Sequence, residues 1–134
     1  MTNEQEQVVE PTFRTRRLRV WRVYGIPAPQ NMPRAMYIAC LDDGRTDWPG
    51  VVLSCSTLDL LENGLYVDWI EVAGPSRRKG LAMEFLQKLR EMHGRHLEVY
   101  GVSEEGKRLE HAFKAWQDGI VAKKKRKAAS KATA

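Results

Sequence analysis

The chain has 134 residues, 43% of them hydrophobic, enough for one domain around its own core. No run of 18 apolar residues occurs, which excludes a membrane-spanning helix, and Met1–Glu10 is polar and acidic rather than a signal peptide, so a cytoplasmic protein is expected. The net charge of +5 is local: Val121–Ala134 holds six basic residues and no acid, and without it the 22 basic residues fall to 16 against 17 acidic ones.

In chain order, residues 1–11 form a polar extension, and a single domain is expected over 12–119. Thr12–Tyr24 predicts a strand, with Leu18, Val20 and Tyr24 on one parity and Arg22 as an exception. Gly25–Pro33 holds Pro27, Pro29 and Pro33 and predicts a loop. Met36–Leu41 predicts a second strand, Asp42-Asp43-Gly44 a turn, and Gly50–Ser56 a third strand. Glu62-Asn63-Gly64 is another turn signal, and Leu65–Val72 the fourth strand. A turn then leads to an amphipathic helix whose stripe is Ala82, Phe85, Leu86, Leu89 and Met92, stopped by Gly94. His96–Tyr100 predicts a short strand. A second helix is expected from Glu104 to Trp116, with Ser103 as N-cap and Leu109, Ala112, Phe113 and Trp116 as its stripe. Residues 120–134, made of Lys, Ala, Ser and Thr around the basic run, predict a disordered segment. Strands first, then alternating helices and strands, argue an α/β fold with a mixed sheet.

Cys40 and Cys55 each sit inside a strand-like run and read as buried thiols of a cytosolic protein. His93, His96 and His111 are scattered and form no metal or catalytic constellation. Trp21, Trp48, Trp69 and Trp116 have no stacking-platform spacing and read as core or pocket walls. No metal site is expected.

The turn Val72–Ala82 carries the most chemistry. It is a basic, glycine-containing link between a strand and a helix start, the arrangement by which a backbone cradles a pyrophosphate. The unpaired N–H groups of the helix start and the helix dipole supply donors and field. Gly80 removes a Cβ from the approach and Ala82 keeps the first turn small. Arg77, Arg78 and Lys79 add positive charge.

The spacing Arg77-x-x-Gly80-x-Ala82, with Val72 five residues upstream, resembles the acetyl-CoA signature of the GNAT superfamily of N-acetyltransferases. The resemblance covers residues 62 to 118. It implies a GNAT-like fold: mostly antiparallel N-terminal strands, then a strand-helix-strand-helix cofactor half. It also implies acetyl-CoA held by Val72, Arg77, Arg78, Lys79, Gly80, Leu81, Ala82 and Ser103, with a backbone N–H near Val72, at a bulge in the strand, as oxyanion donor. The chain departs from the family between its first and second strands. Two helices usually stand there; here Gly25–Ala35 has room for one helical turn. An acceptor site so shortened is open, completed by the partner in a homodimer, or shaped for a large substrate.

Acetyl transfer to an amine needs a base for the amine, and the departing thiolate benefits from protonation. The family's strand glutamate is replaced by Tyr66. Asp68, sharing a face with Tyr66, Ile70 and Val72 if no bulge intervenes, is one candidate base; Glu71, on the opposite face unless a bulge turns it, is the other. The family's last-helix tyrosine is replaced by Glu110, leaving Tyr100 as the substitute acid. The leading expectation is an acetyl-CoA-dependent N-acetyltransferase acting on a primary amine, of a small molecule or a protein, by direct attack in a ternary complex. The alternative is a catalytically weak or inactive CoA-binding regulatory module whose basic segment, Lys123–Lys131, engages nucleic acid or an acidic partner.

Overall fold

A computed structural model describes residues 10–24, 34–42, 50–77 and 79–133. Six strands form one mixed sheet in sequential order: β1 (Phe13–Arg14), β2 (Leu18–Tyr24), β3 (Arg34–Leu41), β4 (Leu53–Asp59), β5 (Leu65–Val72) and β6 (Leu97–Val99). β1 to β5 pair antiparallel; β5 and β6 are parallel, joined through helix α1 (Leu81–His93). Helix α2 (Glu104–Thr133) follows β6. The expected strand over 12–24 is two strands, β1 folding back on β2 with Phe13 opposite Val20. Residues 1–9, the Gly25–Pro33 loop, the Asp43-Gly44 part of the expected turn and Trp48 lie outside the described residues. Tyr24 pairs with Ala35, so residues 25–33 alone connect β2 to β3.

The register sorts the strand residues onto two faces. Val20, Tyr37, Ala39, Leu53, Cys55 and Val67 are buried on the helix-covered face, against Phe85, Leu86 and Leu89 of α1 and Phe113 of α2. Phe13, Tyr37 and Phe85 meet as three rings, with centroids 5.7 to 6.3 Å apart. Both cysteines are buried, and burial pushes the Cys55 thiol well above its ordinary range, with Asp68 adding to the shift.

The helices keep most of their expected stripes. Leu81 starts the buried side of α1, while Met92 at its other end is 48% exposed. In α2 the buried side runs through Leu109, Phe113, Trp116 and Gln117, and Ala112 is exposed. Gln117 was no part of the apolar pattern, yet it is only 2% exposed. Its Oε1 accepts from the Leu97 N–H at 2.8 Å and from Arg90 Nε at 2.7 Å, and its Nε2 donates to the Leu97 carbonyl at 2.9 Å. One amide side chain thus does for Leu97, on the edge strand β6, what a neighbouring strand would do.

The expectation of a disordered segment 120–134 is corrected: α2 continues through Thr133. Lys, Arg and Ala are strong helix formers. The segment extends a helix already nucleated and docked at Leu109–Gln117, so it bears no separate nucleation cost.

Candidate functional site

The site begins at an irregularity in β5. Ser56 pairs with Trp69 and Thr57 with Val67, so Asp68 is an extra residue with no opposite number on β4. The bulge reverses the alternation. Leu65 and Val67 before it, and Ile70 and Val72 after it, all face the core. Asp68 therefore does not share a face with Ile70 and Val72, and Glu71 is turned to the side of the sheet that holds Asp68.

β5 and β6 part at the same place. Their pairing ends at Val67 opposite Val99, while β5 continues beside β4 to Val72 opposite Leu53. The Ala73 N–H donates to the Val52 carbonyl at 2.8 Å. Antiparallel alternation then directs the backbone groups of Glu71 and Ala73 toward β4, and those of Ile70 and Val72 toward the vacated edge. Arg77 reaches back and donates from Nε to the Val72 carbonyl at 3.0 Å, which leaves the Ile70 and Val72 N–H groups as donors on that edge.

The gap between β5 and the start of α2 is a cleft of about 750 Å³, within the usual range for ligand sites. Trp69 to Val72 form one wall, Ser76, Arg77 and Gly80 to Met83 the floor at the helix start, and Ser103 to Gly106 with Arg108 and Leu109 the other wall. Two glycines set that second wall. A Cβ on Gly101 would lie 2.1 Å from the Gly106 backbone, so the loop after β6 and the first turn of α2 approach as only glycine permits. Ser103 caps α2, its Oγ accepting from the Gly106 N–H at 3.0 Å. Glu110 accepts from the Gly101 N–H at 2.7 Å and ties the same loop.

The floor has the form of an anion cradle. Gly74–Ser76 make a short 3-10 turn. Gly80 then caps α1 with φ of +78°, a left-handed conformation that other residues adopt at a cost of about 1–2 kcal/mol. The first intrahelical bond of α1 is Glu84 N–H to the Gly80 carbonyl. The N–H groups of Leu81, Ala82 and Met83 thus precede the helix's own bonding and border the cleft. Arg78 lies outside the described residues. Lys79 is exposed and outside the lining; its carbonyl accepts from Arg17 Nη1 at 2.8 Å.

Arg17 was not found from the sequence. Its Nε donates to Glu84 Oε1 at 2.8 Å, and its own N–H and the Thr15 hydroxyl both donate to Glu84 Oε2. The β1–β2 turn is thereby latched to the first turn of α1. Burial alone would raise the Glu84 pKa, but these hydrogen bonds and the Arg17 charge outweigh it and hold the carboxyl below its ordinary range. Glu84 as a first-turn acid is visible in the sequence; a partner 67 residues away leaves no local signal.

The three candidate catalytic residues are separated. Glu71 lines the cleft and is exposed. Asp68 stands at the point where the strands part, but Arg34 Nη1 holds its Oδ2 at 2.5 Å and also donates to Ser56 Oγ at 2.6 Å. The second oxygen, Asp68 Oδ1, is buried and has no hydrogen-bond partner among the described residues. Tyr100 is 60% exposed and outside the lining. It neighbours Tyr66, whose phenol is raised above its ordinary range by burial first and then by Tyr100, Asp68, Glu98 and Glu110. Among the described residues no group of three His, Cys, Asp or Glu side chains is arranged to hold a metal ion, and no helix is long and apolar enough to cross a membrane.

Comparison with family models, curated proteins and solved structures found no match. The functional reading therefore rests on the turn, the bulge and the cleft between them.

Proposed function

We propose that the chain is an acetyl-CoA-dependent N-acetyltransferase of GNAT-like design. The observation that carries this reading is that the vacated β5 edge, from the bulge to Val72, and the helix start at Gly80 line the same cleft. Such an edge suits an extended amide-bearing arm, because it offers strand-type hydrogen bonds that no strand among the described residues takes. The N–H groups of Leu81, Ala82 and Met83, with Arg77, suit the pyrophosphate at one end of that arm. Glu104 and Glu105 line the α2 wall, and their charge would favour the α1 side of the cleft for an anion.

Acetyl-CoA supplies an activated acetyl thioester. In this reading the Val72 N–H donates to the oxygen that gains negative charge, a role independent of side-chain identity. Glu71 is the stronger candidate to take a proton from the attacking amine: it lines the cleft, whereas the Asp68 carboxylate is engaged by Arg34. Tyr100 has no place in this scheme. A thiol of pKa about 8.5 can leave as its thiolate without an acid.

The second reading, a CoA-binding module without turnover, is favoured by one observation: Glu110 occupies the expected tyrosine position and is spent on the Gly101 N–H. Calorimetry with acetyl-CoA and thiol release with a panel of primary amines separate the two. The enzyme both binds and releases thiol, and the module only binds. Gly80→Glu places bulk and negative charge at the cradle and is expected to weaken acetyl-CoA binding at least 100-fold. Gly80→Asn, which tolerates the left-handed conformation, should retain most of it. Unchanged affinity in a folded Gly80→Glu protein would overturn the site.

A further inference from the structure

The helix α2 does two different things along its length. Up to Gln117 it packs on the body, and from Val121 to Ala128 every side chain is exposed. Residues 121–133 extend about 20 Å at 1.5 Å per residue. Lys123, Lys124, Lys125, Arg126 and Lys127 lie in this stretch, and no acid follows Asp118.

Five consecutive cations on a helix step round it by about 100° each, so they encircle the axis rather than mark one face. This geometry discriminates among polyanions. A membrane surface takes a helix with an apolar side, and this stretch has no such side, only Val121 among alanines. An acidic protein surface meets one face and leaves the remaining cations unanswered. A groove with phosphates on both walls answers all of them. The B-form major groove, about 12 Å wide, admits a helix about 10–12 Å across. The A-form major groove of an RNA duplex is too narrow.

We propose that the exposed length of α2 is an arm that seats in the major groove of duplex DNA and binds it through phosphates, without sequence preference. Because the rest of the chain is near neutral, the arm carries this affinity by itself, independently of the cleft. Binding would also relieve the mutual repulsion of five adjacent charges.

The test uses the full chain and a fluorescent 20-bp DNA duplex, with anisotropy followed from 50 to 200 mM salt. About five neutralised phosphates, one per cation, give a slope of log K against log salt near −4.5, or a loss of about 500-fold across that range. Replacing Lys124, Lys125 and Arg126 with Gln, which preserves helix propensity, should reduce the slope by about 3 while leaving helicity by circular dichroism unchanged. Two unrelated duplexes should bind equally, and an RNA duplex of the same sequence at least 10-fold more weakly. An unchanged slope in the triple variant would overturn the proposal. So would tighter binding to anionic phospholipid vesicles, to polyglutamate or to the RNA duplex.

Discussion

Asp68 and Glu71 show how much one residue's position in a strand decides. In an unbroken strand Asp68 would share a side with Ile70 and Val72, and Glu71 would oppose it. The bulge removes one position from the pairing, sends Ile70 and Val72 to the core and leaves Glu71 at the cleft. Nothing local marks the bulge, since no glycine stands there and alternation on either side is intact. The partner of Asp68, Arg34, is equally invisible, lying 34 residues away in the chain. The expected consequence is a division of labour. Glu71→Gln should lower turnover by about 10²–10⁴-fold with acetyl-CoA affinity unchanged. Asp68→Asn should lose about 1–2 kcal/mol of stability in urea unfolding as its ion pair with Arg34 weakens, and keep turnover within a few-fold. The reverse pattern in steady-state rates would make Asp68 the base.

At the scale of elements, β5, α1 and β6 were legible within a residue or two, because each carries its own period and the stops at Gly64, Gly80 and Gly94 are glycines with positive φ. The failures within the sheet and core share a cause: they depend on contacts distant in sequence. The break between β1 and β2 follows from pairing with Val20, and Gln117 is buried against β6, which has no outer neighbour among the described strands. The latch from Arg17 to Glu84 is of this kind, and it makes α1's anchoring pH-dependent. A carboxyl held below its ordinary value of 4.5 contributes stability that is complete above about pH 4.5 and is lost as pH falls through the lower folded value. The gap in urea midpoint between wild type and Glu84→Gln should thus be constant from pH 7 to 5 and close toward pH 3. A gap that persists at pH 3 would show that the carboxylate's charge is not what holds the turn.

The whole molecule divides by charge as the sequence foretold, a near-neutral body and a strongly basic segment, though the segment is helical and continuous with the body. What the sequence alone could not provide is the cleft, because it exists only where β5 and β6 separate and α2 stands opposite. A ligand that uses this cleft must touch backbone groups on β5 and at the start of α1 together. The direct measurement is a titration of acetyl-CoA into ¹⁵N-labelled protein, read amide by amide. Shifts at Ile70, Val72 and Leu81–Met83, with Val121–Lys127 unmoved, are the expected result. Silent amides at Val72 and Leu81–Met83 under saturating acetyl-CoA, or shifts confined to the basic length of α2, would contradict it.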